Sequence, residues 1–173
     1  MNPKIQAIID HYQFDRIPIE GTFYKSTYVS KKTIGDSPVG TAIIGLYCHK
    51  PLSVSCFHRL AHDEVWHFYD GQAFVLHLLH PNGSYQKVIM GKAIFEDQQI
   101  QFTIPANVWQ AAELLPESEY ALYGCTMSPG FTGNCFEAGN REVLIDAYPN
   151  QAAIIERLSV QGHETKLPEG FTQ

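Results

Sequence analysis

The pair Asp70-Gly71, set between the β-rich runs Glu64–Tyr69 and Gln72–His80, constrains the fold of this chain more than any other feature. A two-residue hairpin loop needs positive φ at both central positions, and Asp-Gly adopts that geometry readily. The pair predicts an antiparallel hairpin. Tyr69 then faces Gln72, Phe68 faces Ala73, Trp66 faces Val75 and Glu64 faces His77. Directly opposed residues share a face, and faces alternate along each strand. Glu64, Trp66, Phe68 and His77 are therefore expected on one side, with Val65, His67 and Phe74 on the other.

The rest of the chain repeats short β-rich runs broken by turn residues. Strands are expected over Phe23–Ser30, Thr41–Cys48, Val54–His58, Tyr85–Met90, Gln99–Ile104, Trp109–Leu114 and Ala121–Met127. Turns fall at Gly35–Val39 and at Pro81-Asn82-Gly83. Eight or nine such strands with almost no helix among them (about that number in all) indicate a sandwich or barrel. Helices are expected only at the ends. Pro3–His11 carries Ile5, Ile8 and Ile9 at helical spacing behind a first-turn proline. Asn140 can cap a helix to Ala147, and beyond Pro149 Asn150 can cap a second one. From Ser159 the chain is polar, with Gly162, Pro168 and Gly170, and is expected to be weakly ordered. Residues 1–158 read as a single domain and residues 159–173 as a polar tail.

A chain of 173 residues suits one domain, and its 45% hydrophobic and 12% aromatic content can fill a sizeable core. A formal net charge of −6 argues against a nucleic-acid partner, which calls for basic patches. No run approaches the ~20 apolar residues of a membrane span, and Met1-Asn2-Pro3-Lys4 lacks the apolar stretch of a signal peptide. A cytoplasmic protein without membrane association is expected. Cys48, Cys56, Cys125 and Cys135 form no C-x-x-C pair, so they read as buried thiols rather than a zinc site.

A carboxylate among Trp and Phe side chains is costly unless donors or a metal meet it, or its pKa rises. Glu64 is in that position on the expected face, with His58 nearby in sequence. The segment from His58 through Glu64 to Gly71 resembles the first motif of the cupin superfamily, which runs His-x-His, a short gap, Glu, six residues and Gly. His58 stands at the first histidine, Leu60 at the second, and Glu64 and Gly71 keep the closing spacing. Ile104-Pro105-Ala106-Asn107-Val108-Trp109-Gln110 resembles the second motif, with Gln110 at the position of its histidine. The branch most similar is a family of unknown function called cupin type five. That likeness also rests on Glu20-Gly21, Phe23-Tyr24, Thr27-Tyr28, Ser128-Pro129-Gly130-Phe131 and Ile155-Glu156-Arg157-Leu158. Thr22 and Lys25 depart from it, standing where a second Gly and an Arg are expected.

The resemblance implies an RmlC-like jelly roll, a double-stranded β-helix barrel, a homodimer or higher oligomer, and a pocket for a small polar ligand. Cupins in general usually hold a divalent metal on the two histidines, the glutamate and a later histidine. Here only His58 and Glu64 remain of that set, and no native metal or other cofactor is expected. Three functions compete. One is a metal-independent epimerase or isomerase acting on a sugar or keto acid. In it His58 is the base, Glu64 its orienting carboxylate, and Tyr24 or Tyr28 the acid. Another is a non-catalytic binding protein, with Trp66, His77 and Gln110 also lining the ligand pocket. The third is a metal-dependent oxygenase of the common cupin kind.

Overall fold

The structure is a computed structural model that describes residues 2–160, 164–169 and 171. Helix α1 (Pro3–Tyr12) opens the chain; the Asn2 side chain caps it by accepting from the Lys4 backbone N–H at 2.9 Å. Thirteen strands follow among the described residues. They are β1 (Asp15–Arg16), β2 (Phe23–Val29), β3 (Thr33–Ile34), β4 (Ser37–Pro38), β5 (Thr41–Cys48), β6 (Ser55–Leu60), β7 (Glu64–Gly71), β8 (Phe74–Leu79), β9 (Tyr85–Met90), β10 (Gln101–Ile104), β11 (Trp109–Leu114), β12 (Tyr120–Met127) and β13 (Phe136–Ala138). Helices α2 (Arg141–Ala147) and α3 (Ala152–Leu158) close the fold.

Two antiparallel sheets face each other, as in a jelly roll. One runs β1-β2-β5-β12-β7-β10, the other β13-β6-β11-β8-β9, and β3-β4 forms a small separate ribbon. The main core lies between the sheets and includes Tyr47, Trp66, Phe74, Leu76 and Tyr123. Period-two alternation explains the inner and outer faces: Glu64 and Trp66 are buried on β7 while Val65 and His67 are only half-buried. Strand β8 is buried along its whole length because helices α2 and α3 cover its outer side around Leu79. Helix α1 covers one end of the other sheet, where Ile5 packs with Phe23, Leu46 and Leu122.

The expected Asp70-Gly71 hairpin does not form. Strands β7 and β8 lie in different sheets, β7 pairing with β12 and β10, and β8 with β11 and β9. Asp70 and Gly71 remain paired, opposite Leu122 and Ala121. The chain then turns the corner between the sheets at Gln72-Ala73. Tyr120 fixes that corner: its hydroxyl donates to Asp70 Oδ2 at 2.7 Å, and its carbonyl accepts from the Gln72 N–H at 2.9 Å. Gly71 has φ +96°, and a Cβ there would collide with the Tyr120 carbonyl oxygen. The glycine thus serves a sheet-to-sheet corner rather than a hairpin loop.

The C-terminal readings also change. Asn140 caps α2, accepting from the Val143 N–H at 3.1 Å. Asn150 does not cap α3: it lies inside a 3₁₀ turn, Pro149–Gln151, that runs straight into the helix. The segment after Leu158, expected to be weakly ordered, is packed where it is described. Val160 and Leu167 are buried in the main core, Phe171 packs against it, and the Ala138 N–H donates to the Thr165 carbonyl at 2.8 Å. Gly162 and Gly170 lie outside the described residues.

Candidate functional site

The polar groups of the core meet between the sheets. A register shift in the β6–β11 pairing prepares this: Gln110 opposes His58, yet Ala112 opposes Ser55. The bulged β6 strand spends one more residue than its partner over this stretch, so Ser55 and His58, three apart, both face inward. Both line a cavity shared with Glu20, Glu64, Trp66 and Tyr123. The cavity is small. The centre of a water-sized sphere can occupy about 20 Å³ of it, room for roughly one or two waters.

Glu64 is 8% exposed. Its Oε2 accepts from the Trp66 indole N–H at 2.8 Å and from Gln110 Nε2 at 2.9 Å. The same indole N–H reaches Gln110 Oε1 at 3.1 Å, so indole, amide and carboxylate close a three-membered ring of hydrogen bonds. Burial raises the Glu64 pKa above the ordinary glutamate value; the His58 charge and the two donors oppose this, and Glu20 reinforces it. The neutral, proton-donating form is thereby favoured relative to an exposed glutamate. The Cys125 thiol lies against the carboxylate and is itself pushed well up, by burial first and by Glu64 second.

His58 is 5% exposed and stacks on Phe136 with centroids 5.3 Å apart. Its Nδ1 lies 2.8 Å from the Cys56 carbonyl oxygen. A carbonyl can only accept, so Nδ1 carries the hydrogen and the free lone pair of the neutral ring is on Nε2. Glu20 Oε2 lies 4.0 Å from the same Nδ1. Tyr123 forms the back wall, stacked between Tyr47 (centroids 4.4 Å apart) and Trp66 (5.0 Å). Burial raises the Tyr123 hydroxyl well above the ordinary tyrosine range. Gly45 makes room for the ring, since a Cβ there would overlap it.

The structure therefore brings His58, Glu64 and Trp66 to one cavity and sets Gln110 directly behind Glu64. Three other residues named from the sequence lie elsewhere. His77 opposes Ala111 on the outer face of its sheet, bonded to Tyr85 and Glu113. It is placed there because β8 does not pair with β7. Tyr24 packs in the core beside Phe171, and Tyr28 is 55% exposed near the end of β2, beyond a register shift. Glu20, Tyr123 and Cys125 were not named as site residues from the sequence, and all three line the cavity. For Glu20 the available signal was an acid in an apolar setting, between Ile19 and Gly21.

The donor set does not fit the metal that such folds commonly carry. Leu60 and Gln110 supply no imidazole, the Gln110 oxygen and Glu64 Oε2 are already engaged by the Trp66 N–H, and His58 Nδ1 is tied to a carbonyl. Among the described residues no three His, Cys, Asp or Glu side chains converge as metal ligands. Of the four positions that usually carry ligands only His58 Nε2 and Glu64 Oε1 are left, too few for a tightly held ion.

Two facing antiparallel sheets around an inward-facing His and Glu define a cupin-type jelly roll. The sequence model of the family described as "Cupin superfamily (DUF985)" matches residues 6–139, and the chain belongs to that family. Two solved structures extend the match over nearly the whole chain. A protein from Shewanella oneidensis is 28% identical with a TM-score of 0.81, over 91% of this chain and 98% of its own. A hypothetical protein from Leishmania major is 24% identical with a TM-score of 0.82, over 90% and 98%. A cupin 2 domain-containing protein from Halorhodospira halophila shares the fold at 10% identity and a TM-score of 0.54, over 83% and 86%. No curated protein matches the chain. No helix among the described residues is long and apolar enough to cross a membrane.

Proposed function

We propose that the cavity is an acid–base site which moves a proton beside the carbonyl of a small polar compound, as isomerases and epimerases do, without a metal. One observation carries this reading: the Nδ1–H of His58 is committed to the Cys56 carbonyl, which leaves Nε2 as a base in the same cavity as Glu64. In this reading His58 removes the proton. Glu64, whose pKa burial raises, donates to the carbonyl oxygen. This replaces the tyrosine acid expected from the sequence, since neither Tyr24 nor Tyr28 lines the cavity. Trp66 and Gln110 hold the carboxyl in place and give it a dry setting.

The test is deuterium exchange. Small hydroxy ketones and sugars are incubated with the protein in D₂O, and label next to the carbonyl is followed by NMR. Native protein is expected to catalyse exchange in at least one compound, and His58→Ala to slow it by about 10²–10⁴-fold. Exchange at the same rate in both proteins would end the proposal.

A second reading is non-catalytic binding. The amide of Gln110 favours it, because it hydrogen-bonds to Glu64 and Trp66 and does not titrate. Saturable binding with no exchange would select it. The homo-oligomer implied by the family resemblance belongs to the same proposal, and light scattering tests it.

A further inference from the structure

A groove of about 680 Å³ lies outside the two-sheet core, on the outer face of the second sheet beside α3. Ligand pockets commonly enclose ~300–1,000 Å³, so the groove has room for a whole organic molecule. It shares no lining residue with the cavity around His58. A narrower hollow of about 140 Å³ adjoins it, and Glu113, Leu114 and Arg157 line both. The floor is apolar, with Val75 and Leu114 buried.

The charges in this groove run against those of the chain. The whole molecule has 18 acidic and 12 basic residues, yet Lys87, Arg157, His49 and His77 line the groove against the single acid Glu113. They come from separate parts of the fold: His49 follows β5, His77 lies on β8, Lys87 on β9 and Arg157 in the last turn of α3. Lys87 opposes His77 across the β8–β9 ladder, so the two share the outer face. Lys87 is exposed and takes part in no hydrogen bond or ion pair among the described residues. Glu113 offsets Arg157, with which it pairs through both oxygens, and leaves the Lys87 charge unbalanced.

Arg157 is held in place without being used up. Glu113 takes its Nε–H and one N–H of Nη2. A guanidinium carries five N–H donors in a rigid fork. Both N–H groups of Nη1 and the second on Nη2 therefore have no partner among the described residues. Glu113 is itself bonded to His77, which is 5% exposed and is fixed in turn by the Tyr85 hydroxyl at 2.8 Å from Nδ1. This chain of contacts sets the guanidinium plane before a ligand arrives, and such preorganisation lowers the cost of binding. The free edge of the fork matches the paired oxygens of a carboxylate or phosphate.

We infer that this groove binds a small organic anion, a carboxylate or phosphate monoester with an apolar body. Arg157 and Lys87 take the charged end, and Val75 and Leu114 receive the body. A small anion without that body leaves the floor uncovered, and a neutral molecule leaves the cations unpaired. The site is separate from the acid–base reading of the His58 cavity and does not depend on it.

Isothermal titration tests this with phenylacetate and phenyl phosphate as probes, against benzyl alcohol, benzylamine and acetate. The expected result is saturable binding of at least one aryl anion, the tighter of the pair naming the head group, and no binding of the controls at the same concentration. Lys87→Gln should weaken that binding about tenfold, and Arg157→Gln by at least as much. Lys87 is exposed, so its substitution changes the charge of the groove without disturbing the core. Affinity unchanged in both variants, or equal for benzyl alcohol and the aryl anions, would overturn the assignment. So would the absence of binding by either aryl anion.

Discussion

Trp66 donates its indole N–H to the carboxylate of Glu64, two residues earlier on the same strand, at 2.8 Å. Residues i and i+2 share a face, so β7 brings its own hydrogen-bond donor to its buried acid. Trp66→Phe keeps most of the ring but removes that donor and leaves Gln110 Oε1 without its partner. Unsatisfied buried polar atoms cost about 1–3 kcal/mol each. The variant is expected to lose stability in that range in urea denaturation. A loss near zero would show that the ring of hydrogen bonds contributes nothing net.

Glu64 gives the protein a recognisable pH dependence. Its pKa is raised in the folded state, by burial above all. Between the ordinary value and the folded value, the native state binds more protons than the unfolded chain, so stability falls as pH rises. The contribution is complete below the unfolded pKa and is lost as pH rises through the folded one. Glu64→Gln cannot titrate. Melting temperature followed from pH 4 to pH 8 should decline more for the native chain than for the variant, and parallel curves would contradict the burial argument.

Much of the fold was readable in the sequence because period-two alternation and turn residues act locally. Thr41–Cys48, Tyr85–Met90 and Trp109–Leu114 begin and end where the pattern places them. The partner of a strand is not a local property. Asp70-Gly71 satisfies a hairpin, but Gly71 also satisfies a corner, and only the pairing of β12 against both β5 and β7 decides between them. His77 was misplaced for that reason alone. The inward turn of Ser55 together with His58 depends on a bulge that composition does not signal. Glu20 was obscured in a loop, and Leu167 was an isolated apolar residue in a polar segment. Glu64 and Trp66 were placed together by the alternation of a single strand, whereas His58 and Gln110 were named only because the resemblance to the cupin motifs singles out their positions.

On the outer face of the second sheet, Glu113 links strand to helix. Burial works to raise its pKa, but hydrogen bonds from His77 and Arg157 and the Arg157 charge outweigh it and hold it at about 2. Arg157 binds both carboxylate oxygens, through Nε at 3.1 Å and through Nη2. With its folded pKa depressed, Glu113 contributes stability above the unfolded value of 4.5 and loses it as pH falls toward 2. The arginine side chain is 53% exposed, so screening limits the contribution to about 1 kcal/mol. Arg157→Gln should cost that much at pH 7, less in high salt, and nothing near pH 2. A cost that persists unchanged at pH 2 would assign it to helix packing instead of charge.

The misfit with a metal can be tested by repairing it. Leu60 lines the cavity and Gln110 bonds to Glu64, and the resemblance to the two cupin motifs sets both at the positions expected to carry the other two imidazoles. Imidazole and carboxylate together suit zinc, iron or manganese, whereas a leucine and an engaged amide do not. The double variant L60H/Q110H would join two imidazoles to His58 and Glu64, a four-ligand set. Metal content is measured after expression with each ion, followed by dialysis against a weak chelator. The variant is expected to retain about one ion per chain, and the natural protein far less. Stoichiometric metal in the natural protein, lost on His58→Ala, would overturn the metal-free assignment. A well-folded double variant that retains nothing would show that backbone geometry, and not only the identity of two side chains, has moved away from metal binding.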